Sequence, residues 1–269
     1  TIKDNLQNEI IDWSATEFKN IEREKRLNKN LSLAFGSLGG IGELFTLWLY
    51  PNSIGSSSKG GCAFDNKEYD SDRKIIITRE VKFISLDGSK ICNTCKNVNP
   101  KGETKVPRFQ TKCILCKDSN FDIPSDSRWG LSAGSHIKYF NDTYKLNEYI
   151  LYVSKYDEEN DSINLKCFKI YSKNRYFGEY IRNQAENGKG DTCNLMPYSW
   201  DFHLSGPIKL FDINICSDGK IIEHMWNLDN ETIENVPKEL LIKNKKYCDY
   251  DINSIETDGI EYKEIINHC

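Results

Sequence analysis

No apolar run in this sequence approaches the ~20 residues that a transmembrane helix needs. The most hydrophobic stretch, Leu44 to Tyr50, spans seven residues and contains Thr46. The opening TIKDNLQNEIIDW lacks the basic-then-apolar order of a secretory signal, so neither a membrane protein nor a secreted one is expected. Internal repeats and low-complexity tracts are missing, which excludes a repeat array or a linker-like chain. Histidine is scarce, at four residues. An excess of positive charge is also missing: 36 Lys and Arg stand against 40 Asp and Glu, for a net charge of −4. That balance argues weakly against a protein that coats nucleic acid, but clustered basic residues bind it whatever the total.

The chain does have enough apolar material to fold. Hydrophobic residues make up 38% of 269 positions, which excludes a disordered chain and allows one large domain with a decorated insertion. Apolar residues at helical spacing from Ile2 to Leu27 predict one or two amphipathic helices, with N-caps at Asp4 and Ser14. A second helix is expected over Leu38 to Leu49, closed by Pro51, with Glu43 inside it. The polar loop SIGSSSKGG (53–61) then leads to a predicted β-hairpin, in which Asp65 lies near the end of one strand. The turn Asp70-Ser71-Asp72-Arg73 connects it to the β-branched run KIIITREVKFIS. EYILYVSK (148–155) and SINLKCFKIY (162–171) are strands around an acidic turn. DSRWGLSAGSHIKY (126–139) is expected to begin a helix, and YFGEYIRNQA (176–185) to form a short one. Further strands are expected at 208–215 and 220–224, with a peripheral helix and edge structure in the tail from Asn230.

Ten cysteines are spread unevenly, and four of them form two pairs. Cys92-x2-Cys95 and Cys113-x2-Cys116 are separated by seventeen residues, within the spacing of a four-cysteine zinc site. Each pair makes a knuckle that presents two thiolates to one tetrahedral ion. Four sulfur ligands leave no open coordination position, so the expected Zn²⁺ is structural. The other six cysteines fit buried or free thiols in a reducing cytoplasm. The segment between and around the knuckles carries Lys90, Lys96, Lys101, Lys105, Arg108, Lys112 and Lys117 against Asp87, Glu103 and Asp118. Such an element either contacts a nucleic-acid backbone or buttresses the fold.

The hairpin carries the second chemistry. In a strand, Glu80 and Lys82 share a face while Val81 points into the opposite layer. If the partner strand brings Asp65 alongside, two carboxylates and an ammonium meet in one small volume. Hard oxygen ligands of that kind suit Mg²⁺. A surface ion pair between Glu80 and Lys82 is the plain alternative, worth under ~1 kcal/mol.

Asp65 with Glu80-Val81-Lys82 resembles the D…(D/E)xK signature of the PD-(D/E)XK nucleases, and is most similar to that of type II restriction endonucleases. Phe64 stands where the family's usual proline would be. The helix with Glu43 and the Gly60-Gly61-x3-Asp65 arrangement also resemble the family's order of helix, hairpin, helix and strand, over roughly 35–170 of the chain. The resemblance implies an α/β (α+β) fold: one restriction-endonuclease-like domain over 1–269, with a mixed β-sheet flanked by helices and a zinc-knuckle insertion at 88–120. It implies Mg²⁺ held by Asp65, Glu80 and the Val81 carbonyl, Lys82 acting on the attacking water, and Glu43 completing the site through a water or second ion. The expected activity is sequence-specific hydrolysis of double-stranded DNA by a homodimer in a bacterial cytoplasm. Two other readings stand beside it: a zinc-ribbon DNA-binding protein without catalysis, and a repair or recombination nuclease of the same superfamily that selects DNA structure. Ser132, Ser135, His136, Lys138, Arg175, Arg182, Asn183, Gln184 and Lys189 are weaker candidates for phosphate or base contacts.

Overall fold

A computed structural model describes residues 1–27, 38–55, 64–70, 75–87, 90–96, 105–106, 111–113, 115–122, 128–132, 145–171, 177, 180–181, 192–197, 202, 205–227, 256–257 and 260–261. Helix α1 (Ile2–Leu27) buries Leu6, Ile10, Trp13, Ser14, Phe18 and Ile21 along one stripe, as the sequence periodicity requires. It is one helix rather than two. Thr1 Oγ1 accepts the Asp4 amide at 3.2 Å, so Asp4 lies inside the first turn and is not the cap. Ser14 is no cap either: its hydroxyl donates back to the Ile11 carbonyl at 2.8 Å in the middle of the helix. Helix α2 (Leu38–Leu49) buries Gly42, Phe45, Thr46 and Leu49, and ends just before Pro51.

The strands that follow are β1 (Ile54–Gly55), β2 (Asn66–Asp70), β3 (Ile75–Ser85), β4 (Lys90–Cys92), β5 (Lys105–Val106), β6 (Phe121–Asp122), β7 (Trp129–Ser132), β8 (Lys145–Asp157), β9 (Ser162–Tyr171), β10 (Thr192–Leu195), β11 (Ile208–Cys216), β12 (Ile221–Trp226), β13 (Glu256–Thr257) and β14 (Ile260–Glu261), with a one-turn helix α3 (Asn93–Lys96) after β4. Seven of them make the main sheet, in the order β1-β2-β3-β8-β9-β11-β12. The β3–β8 pair is parallel and the others are antiparallel. The fold is thus a mixed α+β one, with a mostly antiparallel, partly parallel sheet flanked by helices. Among the described residues, no helix is long and apolar enough to cross a membrane.

Strand alternation divides the core between the two sheet faces. Ile77, Val81 and Phe83 of β3, Ile150 and Tyr152 of β8, and Leu165 and Ile213 beyond them pack under α1 and α2. Tyr149, Leu151, Val153, Phe168 and Ile170 face the other way, under Trp129, Leu131, Phe177, Leu195 and Phe202. Each such side chain, fully buried, contributes ~1.5–3 kcal/mol. This second layer replaces the helix expected from Asp126 with a strand over Trp129–Ser132, while 126–127 and 133–139 lie outside the described residues. Trp129 and Leu131 alternate with Gly130 and are fully buried, and β7 pairs with β10 along Thr192–Leu195. Glycine disfavours a helix there, and sheet pairing with burial of two large side chains decides the outcome. Phe177, Tyr180 and Ile181 are helical, in line with the short helix expected around them.

Candidate active site and metal centre

Three elements position the hairpin groups. Asp65 stands one residue before β2 rather than within a strand, and its amide donates to the Arg79 carbonyl at 2.9 Å. Register then runs from Asn66↔Arg79 to Asp70↔Ile75. Past Arg79, the Asp65 side chain takes over from backbone pairing: Val81 N donates to Asp65 Oδ2 at 2.6 Å. The N–H and C=O of one strand residue point to the same edge, so the Val81 carbonyl shares the edge that Asp65 occupies. Glu80 and Lys82 lie on the opposite sheet face from α2 and form an ion pair, each about a quarter to a third exposed (25% and 30%). The sequence thus brings Asp65, Glu80, Val81 and Lys82 together.

Glu43 joins this group through its field. It is exposed on α2, where the missing side chain of Gly42 lets the helix sit close on β3: a Cβ there would lie 3.1 Å from Val81 Cγ1 and 3.3 Å from Phe83 Cβ. Desolvation, together with the Asp65 charge, raises the Glu43 pKa, and Lys82 opposes it. Burial likewise pushes Glu80 up, with Asp65 and Glu43 adding to the rise against the pull of Lys82. Three carboxylates and one ammonium that feel one another's charge leave this region electronegative, which a cation would relieve. Their oxygens do not converge as tightly as the cysteine sulfurs. Among the described residues, the four cysteines are the one set of three or more Cys, His, Asp or Glu whose ligand atoms all lie within 4.8 Å of one another.

Directly beside the hairpin groups is a charge cluster that sequence reasoning missed. Arg79 is buried on the helix-covered face, where its Nε donates to Glu148 Oε2 at 2.8 Å, Nη1 to Ser53 Oγ at 2.7 Å and Nη2 to Glu68 Oε2 at 3.0 Å. Its guanidinium stacks 3.7 Å from the Tyr50 ring centre, and Lys169 approaches Glu148 at 3.8 Å. Burial lowers the Arg79 pKa, but the charges of Glu148, Tyr50 and Glu68 outweigh it and hold the guanidinium above its ordinary value. The signal was legible. In Ile77-x-Arg79-x-Val81-x-Phe83, an arginine occupies the apolar phase of a strand, and a buried arginine requires partners.

The cysteine module lies between β3 and β8 in the chain, on a small sheet ordered β5-β4-β6. Cys92, Cys95 and Cys113 are buried and Cys116 is exposed. Sulfurs of Cys92 and Cys116 are 3.4 Å apart and those of Cys95 and Cys113 are 3.8 Å apart. Tetrahedral coordination at 2.3 Å requires an S···S edge of about 3.8 Å, so the set can bind a metal ion and is compatible with structural zinc. The second knuckle turns through Lys117 at φ 62°, where its amide reaches the Cys113 carbonyl at 3.0 Å. The Cys116 amide aimed at the Cys113 sulfur pulls that thiol down to about 7, while hydrogen bonding to Cys116 pushes Cys95 up to about 12. Thr94 and Asn93 tie the two knuckles together, through Asp118 and Asn120.

Ser135, His136, Lys138, Arg175, Arg182, Asn183, Gln184, Lys189 and the tail over 230–255 lie outside the described residues, as do Lys101 and Arg108 and the Ser132 side chain. Trp226 is structural, stacked on Phe211 at 5.1 Å. Comparison with family models, curated proteins and solved structures finds no match to this chain.

Proposed function

We propose that this chain is a Mg²⁺-dependent deoxyribonuclease of the PD-(D/E)XK type, a type II restriction endonuclease with a restriction-endonuclease-like core and a zinc-stapled insertion. One observation carries the reading: the Asp65 carboxylate bridges to the Val81 amide, beside the Glu80–Lys82 pair. A chance D…ExK match has no reason to place its aspartate on the backbone of the ExK strand. Asp65 and Glu80, with the Val81 carbonyl, would hold Mg²⁺, whose oxygen-ligand preference they meet. When bound, the ion lowers the pKa of a coordinated water and offsets charge on the scissile phosphate. Lys82, the ammonium paired with Glu80, would orient such a water and stabilise the hydroxide as its proton leaves to solvent, and Glu43 would complete the site through a further water. Double-stranded DNA is the substrate, the basic zinc insertion contacts its backbone, and two copies related by a two-fold axis cut the two strands.

Alanine substitutions test this. Asp65→Ala, Glu80→Ala and Lys82→Ala are each expected to abolish Mg²⁺-dependent cleavage while circular dichroism and zinc content stay at wild-type values. Full activity in any of them removes the reading. Convergence of the four cysteines supports a second reading, a zinc-dependent DNA binder without catalysis. It predicts DNA retention without Mg²⁺ and no strand cleavage when Mg²⁺ is added.

A further inference from the structure

We propose that Arg79 is the positioning residue that sets where Asp65 stands relative to Glu80, and hence the affinity of the hairpin for a divalent cation. This inference rests on the nuclease reading of the hairpin. Arg79 is the last residue of β3 paired with β2, opposite Asn66, and its carbonyl accepts the Asp65 amide. From there onward the Asp65 side chain is what bridges to β3. Whatever fixes residue 79 therefore fixes the joint on which the carboxylates pivot.

Its side chain, 3% exposed, ties together four parts of the fold: Glu68 of β2, Glu148 of β8, Ser53 in the approach to β1, and Tyr50 at the end of α2. A planar guanidinium with a fixed fork of donors imposes geometry on each of them, which an ammonium cannot do. Stability alone is a weak ground for the arrangement. Buried ion pairs are often neutral or unfavourable relative to apolar residues of the same volume. Asn66, directly across from Arg79 and 1% exposed, has no hydrogen-bond partner for either side-chain amide atom among the described residues. Such a group costs about 1–3 kcal/mol. A buried guanidinium with fixed donors and an unsatisfied buried amide at one joint, one residue from Glu80 and one from Asp65, mark a place where geometry is fixed.

The test is Mn²⁺ binding followed by electron paramagnetic resonance on the full, zinc-loaded chain without DNA. The hairpin site is defined as the binding that Asp65→Ala removes. The double variant Arg79→Met/Glu68→Met deletes one charge of each sign and leaves the Glu148–Lys169 pair in place. It is expected to remain folded, with wild-type zinc content, and to bind Mn²⁺ at the hairpin about tenfold more weakly, on the scale of losing a ligand-orienting partner. Should that variant fail to fold, Arg79→Lys keeps the charge, loses the fork and is expected to show the same weakening. A folded variant with wild-type Mn²⁺ affinity overturns the role of Arg79 alone. A wild-type chain with no Asp65-dependent Mn²⁺ binding overturns both this role and the nuclease reading beneath it.

Discussion

The cysteine module and the carboxylate hairpin gather their ligands in opposite ways. The module draws four sulfurs from two tight knuckles, and they all lie within 4.8 Å of one another. The hairpin draws Glu43 from a helix, Asp65 from the residue before a strand, and Glu80 and Lys82 from the middle of the next strand. Its three carboxylates feel one another's charge without all closing to that distance. Local backbone turns assemble the first site, and long-range packing assembles the second. On the proposed reading, a cation would complete the fold of the module, whereas at the hairpin it would relieve repulsion within a frame that is already built.

Removing the metal should separate the two regions most sharply. Structural zinc in small fingers contributes ~10–16 kcal/mol of apparent binding energy at pH 7. The protein is expected to hold one zinc per chain by elemental analysis. Cys113→Ala should lose it and become sensitive to proteolysis within 90–122, while the main-sheet melting transition persists. Loss of both together would erase the contrast. At the hairpin, Asp65→Asn keeps an acceptor for the Val81 amide and removes the charge. Cleavage should fall by at least ~10²-fold, as for removal of an electrostatic stabiliser, with zinc content unchanged.

Stability against pH sharpens the same comparison. A glutamate whose folded pKa is raised disfavours folding when it is ionised, and that penalty disappears as pH falls through the folded value toward the ordinary 4.5. In EDTA, whose effect on the zinc must be checked by metal analysis, Glu80→Gln is expected to raise the melting temperature at pH 7, and the gain should shrink toward pH 4.5. For the same reason, the Mg²⁺ needed for half-maximal cleavage of DNA should rise as pH is lowered. Gly42→Ala should have a smaller effect. Overpacking against Val81 and Phe83 costs ~1–3 kcal/mol, and the better helix former returns up to ~1 kcal/mol, so urea denaturation should show a net loss. The smallest change is expected from Lys117→Gly. It relieves a left-handed backbone worth about 1 kcal/mol and should slow zinc release to a chelator by up to about tenfold.

Much of this was legible because it is local. Periodicity gave α1 and α2, β-branched alternation gave β3, β8 and β9, and the spacing of Cys92, Cys95, Cys113 and Cys116 gave the metal centre. The β7–β10 pair was not legible: Trp129-Gly130-Leu131 is too short to show a period, and its partner lies about sixty residues on in the sequence. At the hairpin, residue types and spacing pointed to Asp65, Glu80 and Lys82. The strand's alternation also marks Arg79 as buried; what it could not give was the hydrogen bond from Val81 to Asp65 or the partners of Arg79, because Glu148 and Tyr50 reach it only through tertiary packing.

The most direct test is incubation of the purified, zinc-loaded protein with phage DNA, with and without Mg²⁺. The account predicts discrete fragments that appear with Mg²⁺ and vanish with Lys82→Ala. DNA that stays bound but intact in Mg²⁺ would contradict it, and would leave the cysteine module as the functional element.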